Sequence, residues 1–268
     1  MESTLKWFSE GPMKGTYVRN AIIKTSHPVP LKWKITAIIN EHDHQIYQAE
    51  LDRDKDVFSC ATTRLRCTRL DDPSTIAEMR VYLQVPYSGM EYDRIQRRAQ
   101  QEEIYEPSEL RAYKKLTRHG PTQTFTPRLL GYSEDKQGPT GWVPGGFLVT
   151  VVWERVSGES LALRLKDRNS LFWELPLEKR NLIREMFVQQ LANMARLGVM
   201  LHRPTARNLV FDRRAERLYW VGFYNAKVTR GARFNKSLIA AFDLAKPPAG
   251  SQIWRAASWS GDLSGWGL

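Results

Sequence analysis

The chain has 268 residues, of which 42% are apolar and 26% charged; this is enough to build a packed core and too ordinary for overall disorder. Lys and Arg number 40 against 29 Asp and Glu, a formal charge of +11, which favours acidic partners such as RNA, nucleotides, an anionic membrane or an acidic protein. Two cysteines, Cys60 and Cys67, exclude a disulfide framework, and their spacing is not that of a zinc site.

In chain order, Met1 to Pro12 has no apolar signal core, and a soluble, cytoplasmic protein is expected. Residues 15–70 read as short strands, with partial alternation over Lys32–Ile39 and a further strand over Gln45–Leu51. Glu78–Val85 is a clearer strand: Met79, Val81, Leu83 and Val85 share one face, and Arg80, Tyr82 and Gln84 the other. Glu91–Glu103 is densely charged, a solvated helix or a connection. Pro107 suits a first helical turn, because its missing N–H is not needed there. The helix is expected over Ser108–Arg118 with Leu110, Tyr113 and Leu116 inward.

Thr126–Tyr132 reads as a short strand, Ser133–Gly146 as a Gly/Pro-rich loop, and Phe147–Trp153 as a buried strand too short to span a bilayer. Leu182, Ile183, Met186, Phe187, Leu191 and Met194 recur at helical spacing and predict a long helix over Leu177–Leu197 that Gly198 ends. Leu209–Phe211 and Leu218–Val221 predict two strands joined by a charged turn, and a helix is expected near Lys236–Leu244. Together these elements give an α+β chain.

Several segments in this order resemble the protein-kinase-like superfamily, in particular small kinase-like proteins of filamentous fungi. Glu78–Val85 resembles the strand that carries a phosphate-binding lysine in working kinases, with Arg80 in its place. Pro107–Leu116 resembles the following helix, with Glu109 as the ion-pair partner. Pro144–Leu161 resembles the strand and hinge, including Glu154. Gly198–Asp212 resembles the catalytic loop, with Asn208 at the metal-binding position and Arg203, or Pro204 if the register slips by one, where the catalytic Asp belongs. Tyr219–Ala226 resembles the next strand and metal-binding turn, with Gly222 in place of the magnesium-binding Asp.

The resemblance implies a two-lobed protein-kinase-like fold. Residues 1–155 would form a small lobe, mainly antiparallel sheet with one helix and ending at the hinge. Residues 156–246 would form a reduced helical large lobe, and 247–268 a loosely ordered tail. It also implies lost chemistry. Phosphoryl transfer needs magnesium held by the Asp and Asn, and a base to orient the acceptor. A guanidinium about 4 Å from a cation costs on the order of 4 kcal/mol at an effective dielectric near 20. Asp54–Arg69 contains no glycine, so a glycine-rich phosphate loop is also missing.

The implied protein is a pseudokinase, or an anion- or nucleotide-binding module, that uses neither a cofactor nor a metal. Its expected ligand-binding residues are Arg80, Glu109, Glu154, Arg203, Arg207 and Asn208. Glu109, His202 and Asp212 are the titratable candidates if chemistry occurs. Arg213, Arg214 and Arg217 add to the basic stretch, and Arg94, Arg97, Arg98, Lys114, Lys115 and Arg118 form a second basic zone. Trp142, Trp153 and Trp220 are candidate stacking surfaces for bases.

The alternative is a repurposed transferase acting on aminoacyl-tRNA, such as the fungal arginine-containing cyclodipeptide synthases. There Asp71-Asp72 is the sole Asp pair, and Thr75 stands where an acid is expected. Expected partners are therefore tRNA or another phosphate-rich ligand, and a protein that covers the reduced large lobe. His42-Asp43-His44, read as a loop, is a weak metal-ligand pattern with no third ligand evident.

Overall fold

The computed structural model describes residues 6–54, 57–118, 125–162, 170–202, 204–230, 237–252, 255, 260 and 262–268. The chain divides into two compact units: one of Met1–Leu110 with Leu129–Arg155, the other of Arg111–Arg128 with Val156–Leu268. Among the described residues no helix is long and apolar enough to cross a membrane.

The first unit is built on a six-stranded sheet of β1 (Ile22–Thr25), β2 (Leu31–His44), β3 (Cys60–Arg69), β4 (Ile76–Gln84), β5 (Leu129–Lys136) and β6 (Phe147–Glu154). The strand order is β1-β2-β3-β4-β6-β5, and every pairing is antiparallel. Residues beyond the β1 edge meet the β5 edge, where His27 and Tyr132 exchange backbone hydrogen bonds of 3.0 and 2.9 Å. The sheet therefore curls far enough for the β1–β2 connection to touch β5 at this point.

Two-residue periodicity sorts β4 as its sequence predicts. Met79, Val81 and Leu83, followed by Val85, are fully buried and pack with Trp33, Ile35, Leu65 and Cys67. The N-terminal segment joins this core through Trp7, Phe8, Met13 and Tyr17; the Trp7 ring meets Trp142 edge-on at 4.9 Å. The opposite face of β4 is covered as well: Tyr82 and Gln84 are buried.

The structure corrects three local expectations. Gln45–Leu51 is not a strand; a short helix, α1, spans Gln48–Leu51. The Ser133–Gly146 loop is shorter than expected, because β5 runs on to Lys136. As an edge strand, β5 needs only its pairing with β6 and tolerates the polar residues Ser133–Lys136. His42, Asp43 and His44 lie in β2 rather than in a loop, and Asp43 accepts a 2.8 Å hydrogen bond from the Trp7 indole.

Between β4 and β5 come α2 (Ile95–Ala99) and α3 (Ser108–Arg118). Pro107 immediately precedes α3, whose Leu110, Tyr113 and Leu116 are buried.

In the second unit, short β7 (Glu159–Ser160) and α4 (Leu171–Glu174) precede α5, which spans Leu177–Leu197. Gly198 ends α5 at φ 66°, a left-handed conformation that costs glycine little. Ile183, Phe187, Leu191 and Met194 form the buried stripe of α5. The Phe187 ring stacks on Trp220 at 5.1 Å, and Phe242 meets both rings at 4.9 Å.

The rest of the unit holds β8 (Val199–Met200), β9 (Leu209–Asp212), β10 (Arg217–Trp220), β11 (Lys227–Val228) and α6 (Leu238–Ala241). The β9–β10 hairpin joins β7, and β8 pairs with β11. Near the C-terminus Lys246 bridges to Gly267, and Arg180 donates to the Leu268 carbonyl at 2.7 Å.

Candidate functional site

Arg80 and Glu109, distant in sequence, meet in the first unit. Arg80 Nη1 lies 2.7 Å from both carboxylate oxygens of Glu109. Tyr82, two residues along the same face of β4, donates its hydroxyl to Glu109 Oε2 at 2.8 Å. The Glu109 side chain is 1% exposed and that of Arg80 13%, so neither is an ordinary surface charge. The Arg80 guanidinium also sits 5.6 Å from the centre of the Trp153 ring. Burial opposes its charge, but Glu109 and the Tyr82 hydroxyl outweigh that and hold its pKa above the usual arginine value. Burial, with the Glu109 carboxylate beside it, pushes the Tyr82 phenol well up, so the phenol stays a donor.

A second ionic cluster lies beside this one. Glu78, nearly buried, precedes Arg80 on the same face of β4. It lies 3.0 Å from Arg64, 3.3 Å from Arg66 and 4.0 Å from Arg155. Three guanidiniums thus surround one carboxylate, and the arginine side chains remain 36–46% exposed. Sequence reasoning missed this cluster. Its signal was present: Arg64 and Arg66 stand two apart on one strand, Glu78 and Arg80 on the next, and strand alternation places all four on one face. Glu154, the last residue of β6, lies in register with Ala77 at the same end of the sheet.

The second unit holds the Asn208 loop. Thr205 and Asn208 form a reciprocal cap on the turn Ala206–Asn208: Thr205 N donates to Asn208 Oδ1 at 3.0 Å, and Arg207 N to Thr205 Oγ1 at 3.3 Å. The Asn208 amide then donates to the carbonyls of Val221 and Gly222, at 3.0 and 3.4 Å. Gly222 has φ +79°, and a Cβ there would fall 2.6 Å from Asn208 Nδ2. Any side chain at that position, a carboxylate included, would be strained in its backbone and would push Asn208 aside.

Several other expected site residues are already engaged. Asp212 Oδ1 accepts from Arg214 N at 2.9 Å and Ala215 N at 3.0 Å, shaping the β9–β10 turn. His202 and Arg207 are exposed, and Arg203 lies outside the described residues. Arg213 faces Glu159 at 3.7 Å. In the second basic zone, Arg98 donates to the Trp142 carbonyl at 2.6 Å, Lys115 to the Thr229 carbonyl at 2.7 Å, and Arg97 pairs with Asp93 at 3.6 Å. The expected stacking tryptophans are core residues instead: Trp142, Trp153 and Trp220 are only 2–6% exposed, and the Trp220 indole is bonded to Gln190. Asp71 and Asp72 both face Arg69, while Asp72 also accepts from Ser74 and Thr75. Among the described residues no three His, Cys, Asp or Glu side chains converge as metal ligands.

No protein-family model matches the chain, and no curated protein matches it. Among solved structures it is similar to the kinase PK-1 of Cydia pomonella granulovirus, with a TM-score of 0.44 and 11% identity. The match covers 76% of this chain and 57% of the viral one, so the chain spans less than two thirds of that protein.

Proposed function

We propose that the protein is a non-catalytic, protein-kinase-like module, a pseudokinase, whose first unit binds an anionic ligand without a metal ion. The observation that carries this reading is the geometry at Gly222. Where a magnesium-binding Asp would stand, the backbone is left-handed and the Cβ position is blocked by the Asn208 amide. That amide is spent on backbone carbonyls and its oxygen on the Thr205 N–H. Asn208 thus serves as a brace for its own loop, and phosphoryl transfer lacks the pair of ligands that would hold magnesium.

The Arg80–Glu109 pair supports the kinase-like part of the reading, since a buried cation–carboxylate pair joins β4 to α3. The ligand is better described as an anion than as a nucleotide base. Beside Arg80 the sheet offers the Glu78 cluster of guanidiniums, whereas a purine face needs apolar walls. Guanidinium groups take phosphate or carboxylate directly.

Incubation with radiolabelled magnesium-ATP and a general acceptor protein tests the catalytic half. The expected result is no label transfer and no phosphate release above a magnesium-free control. Magnesium-dependent turnover that disappears in Asn208→Ala contradicts it.

A second reading, a transferase that uses aminoacyl-tRNA, draws on the net charge of +11 and the guanidinium excess around Glu78. It requires tRNA binding that falls steeply with salt through counterion release. Flat, weak tRNA binding across a salt series removes it.

A further inference from the structure

The same sheet face carries another polar concavity nearer the β1 edge. It has a volume of about 350 Å³ and is lined by Arg19, Asn20, Lys34, Thr36, Thr68 and Arg69, with Leu70 and Pro73 as its apolar lining. Its walls are fixed by backbone hydrogen bonds. Asn20, at φ 72°, donates its N–H to the Ile35 carbonyl at 2.8 Å, which ties the segment before β1 onto β2. Leu70 N donates to the Lys32 carbonyl at 2.9 Å, which ties the turn after β3 to the start of β2. Lys34 and Thr68 are direct cross-strand partners, so their side chains share the face.

The lining has the donor set of an oxyanion site. Three cationic residues, Arg19, Lys34 and Arg69, line it together with Thr36, Thr68 and Asn20. Arg69 is braced by Asp71 at 2.8 Å and by Asp72 at 3.6 Å; those contacts use two nitrogens of a group with five N–H donors. The two carboxylates offset two of the three positive charges and leave an excess. The Thr36 hydroxyl donates to the Arg66 carbonyl at 3.1 Å, so its oxygen is left to accept from a ligand hydroxyl.

We propose that this pocket binds a small phosphate monoester that also carries hydroxyl groups, the chemistry of a sugar phosphate. The phosphate would lie against Arg19, Lys34 and Arg69, with the sugar hydroxyls toward Thr36 and Thr68 and the carbon skeleton on Leu70 and Pro73. Size decides the class: pockets for small ligands run from roughly 300 to 1,000 Å³, and this one lies at the lower end. The proposal does not depend on the kinase-like reading, since no residue of the Arg80 pair or the Asn208 loop lines the pocket.

Calorimetric titration of the full chain with ribose 5-phosphate and with inorganic phosphate, at constant ionic strength, tests it. Ribose 5-phosphate should bind saturably and more tightly than inorganic phosphate. Lys34→Gln and Arg19→Gln, each removing one charge-assisted contact at an exposed position, should weaken it about tenfold. Lys24→Gln, an exposed cation on the same sheet face but outside the pocket, should leave affinity unchanged. Absence of saturable binding overturns the proposal. So does equal weakening in Lys24→Gln and Lys34→Gln, which marks diffuse charge attraction, or equal affinity for the two probes.

Discussion

Arg80 and Glu109 show how much rests on single side chains. Their pairing removes a carboxylate and a guanidinium from water, which is tolerable only while both are present, with the Tyr82 hydroxyl adding a second donor to Oε2. Glu109→Ala would remove the carboxylate that balances the buried guanidinium, so a loss of about 3–5 kcal/mol in unfolding free energy is expected. Replacing the pair together, as Arg80→Met with Glu109→Leu, should recover most of that loss. Urea titrations of the three proteins check it, and equal losses in the single and double variants would show that the pair itself stabilises. At this scale the sequence was informative about identity and mute about geometry. Asn208 and Gly222 stand out in the chain, but that the amide bonds across to residue 222 and occupies its Cβ space depends on a positive φ that no neighbouring residue announces.

Elements were more legible. The boundaries of α3 and α5 follow from a preceding Pro107, a following Gly198 and helical spacing between them. The Glu91–Glu103 stretch does contain a short helix, α2. β4 reads correctly on its apolar side but conceals its second face, because buried Tyr82, Gln84 and Glu78 are polar or amphipathic and look solvent-facing in a linear pattern. β5 outruns its sequence signal for the opposite reason: its polar residues pair with β6 at a sheet edge, where backbone hydrogen bonding overrides composition. The C-terminus of α5 gives a direct check of the element-scale account. Gly198→Ala must place a Cβ at φ 66°, and a destabilisation of about 1 kcal/mol in thermal or urea unfolding is expected. An unchanged midpoint would mean that the helix ends for another reason.

For the whole molecule, the order of elements indicates a mixed sheet-and-helix protein and the resemblance implies an antiparallel sheet; the structure has both. Composition left the distribution of charge unread. The basic residues near the Asn208 loop include ones already paired, whereas the positive excess that suits a ligand is gathered on the first unit's sheet face, through cross-strand neighbours far apart in sequence. The proposed function requires that no divalent ion be held beside Asn208, and manganese reads that out directly as a paramagnetic substitute for magnesium. In electron paramagnetic resonance of the full chain with ATP and manganese, the spectrum should match that of manganese-ATP alone, with or without protein. A protein-dependent manganese signal that vanishes in Asn208→Ala would mean that the ion is held after all, and the non-catalytic reading would fall with it.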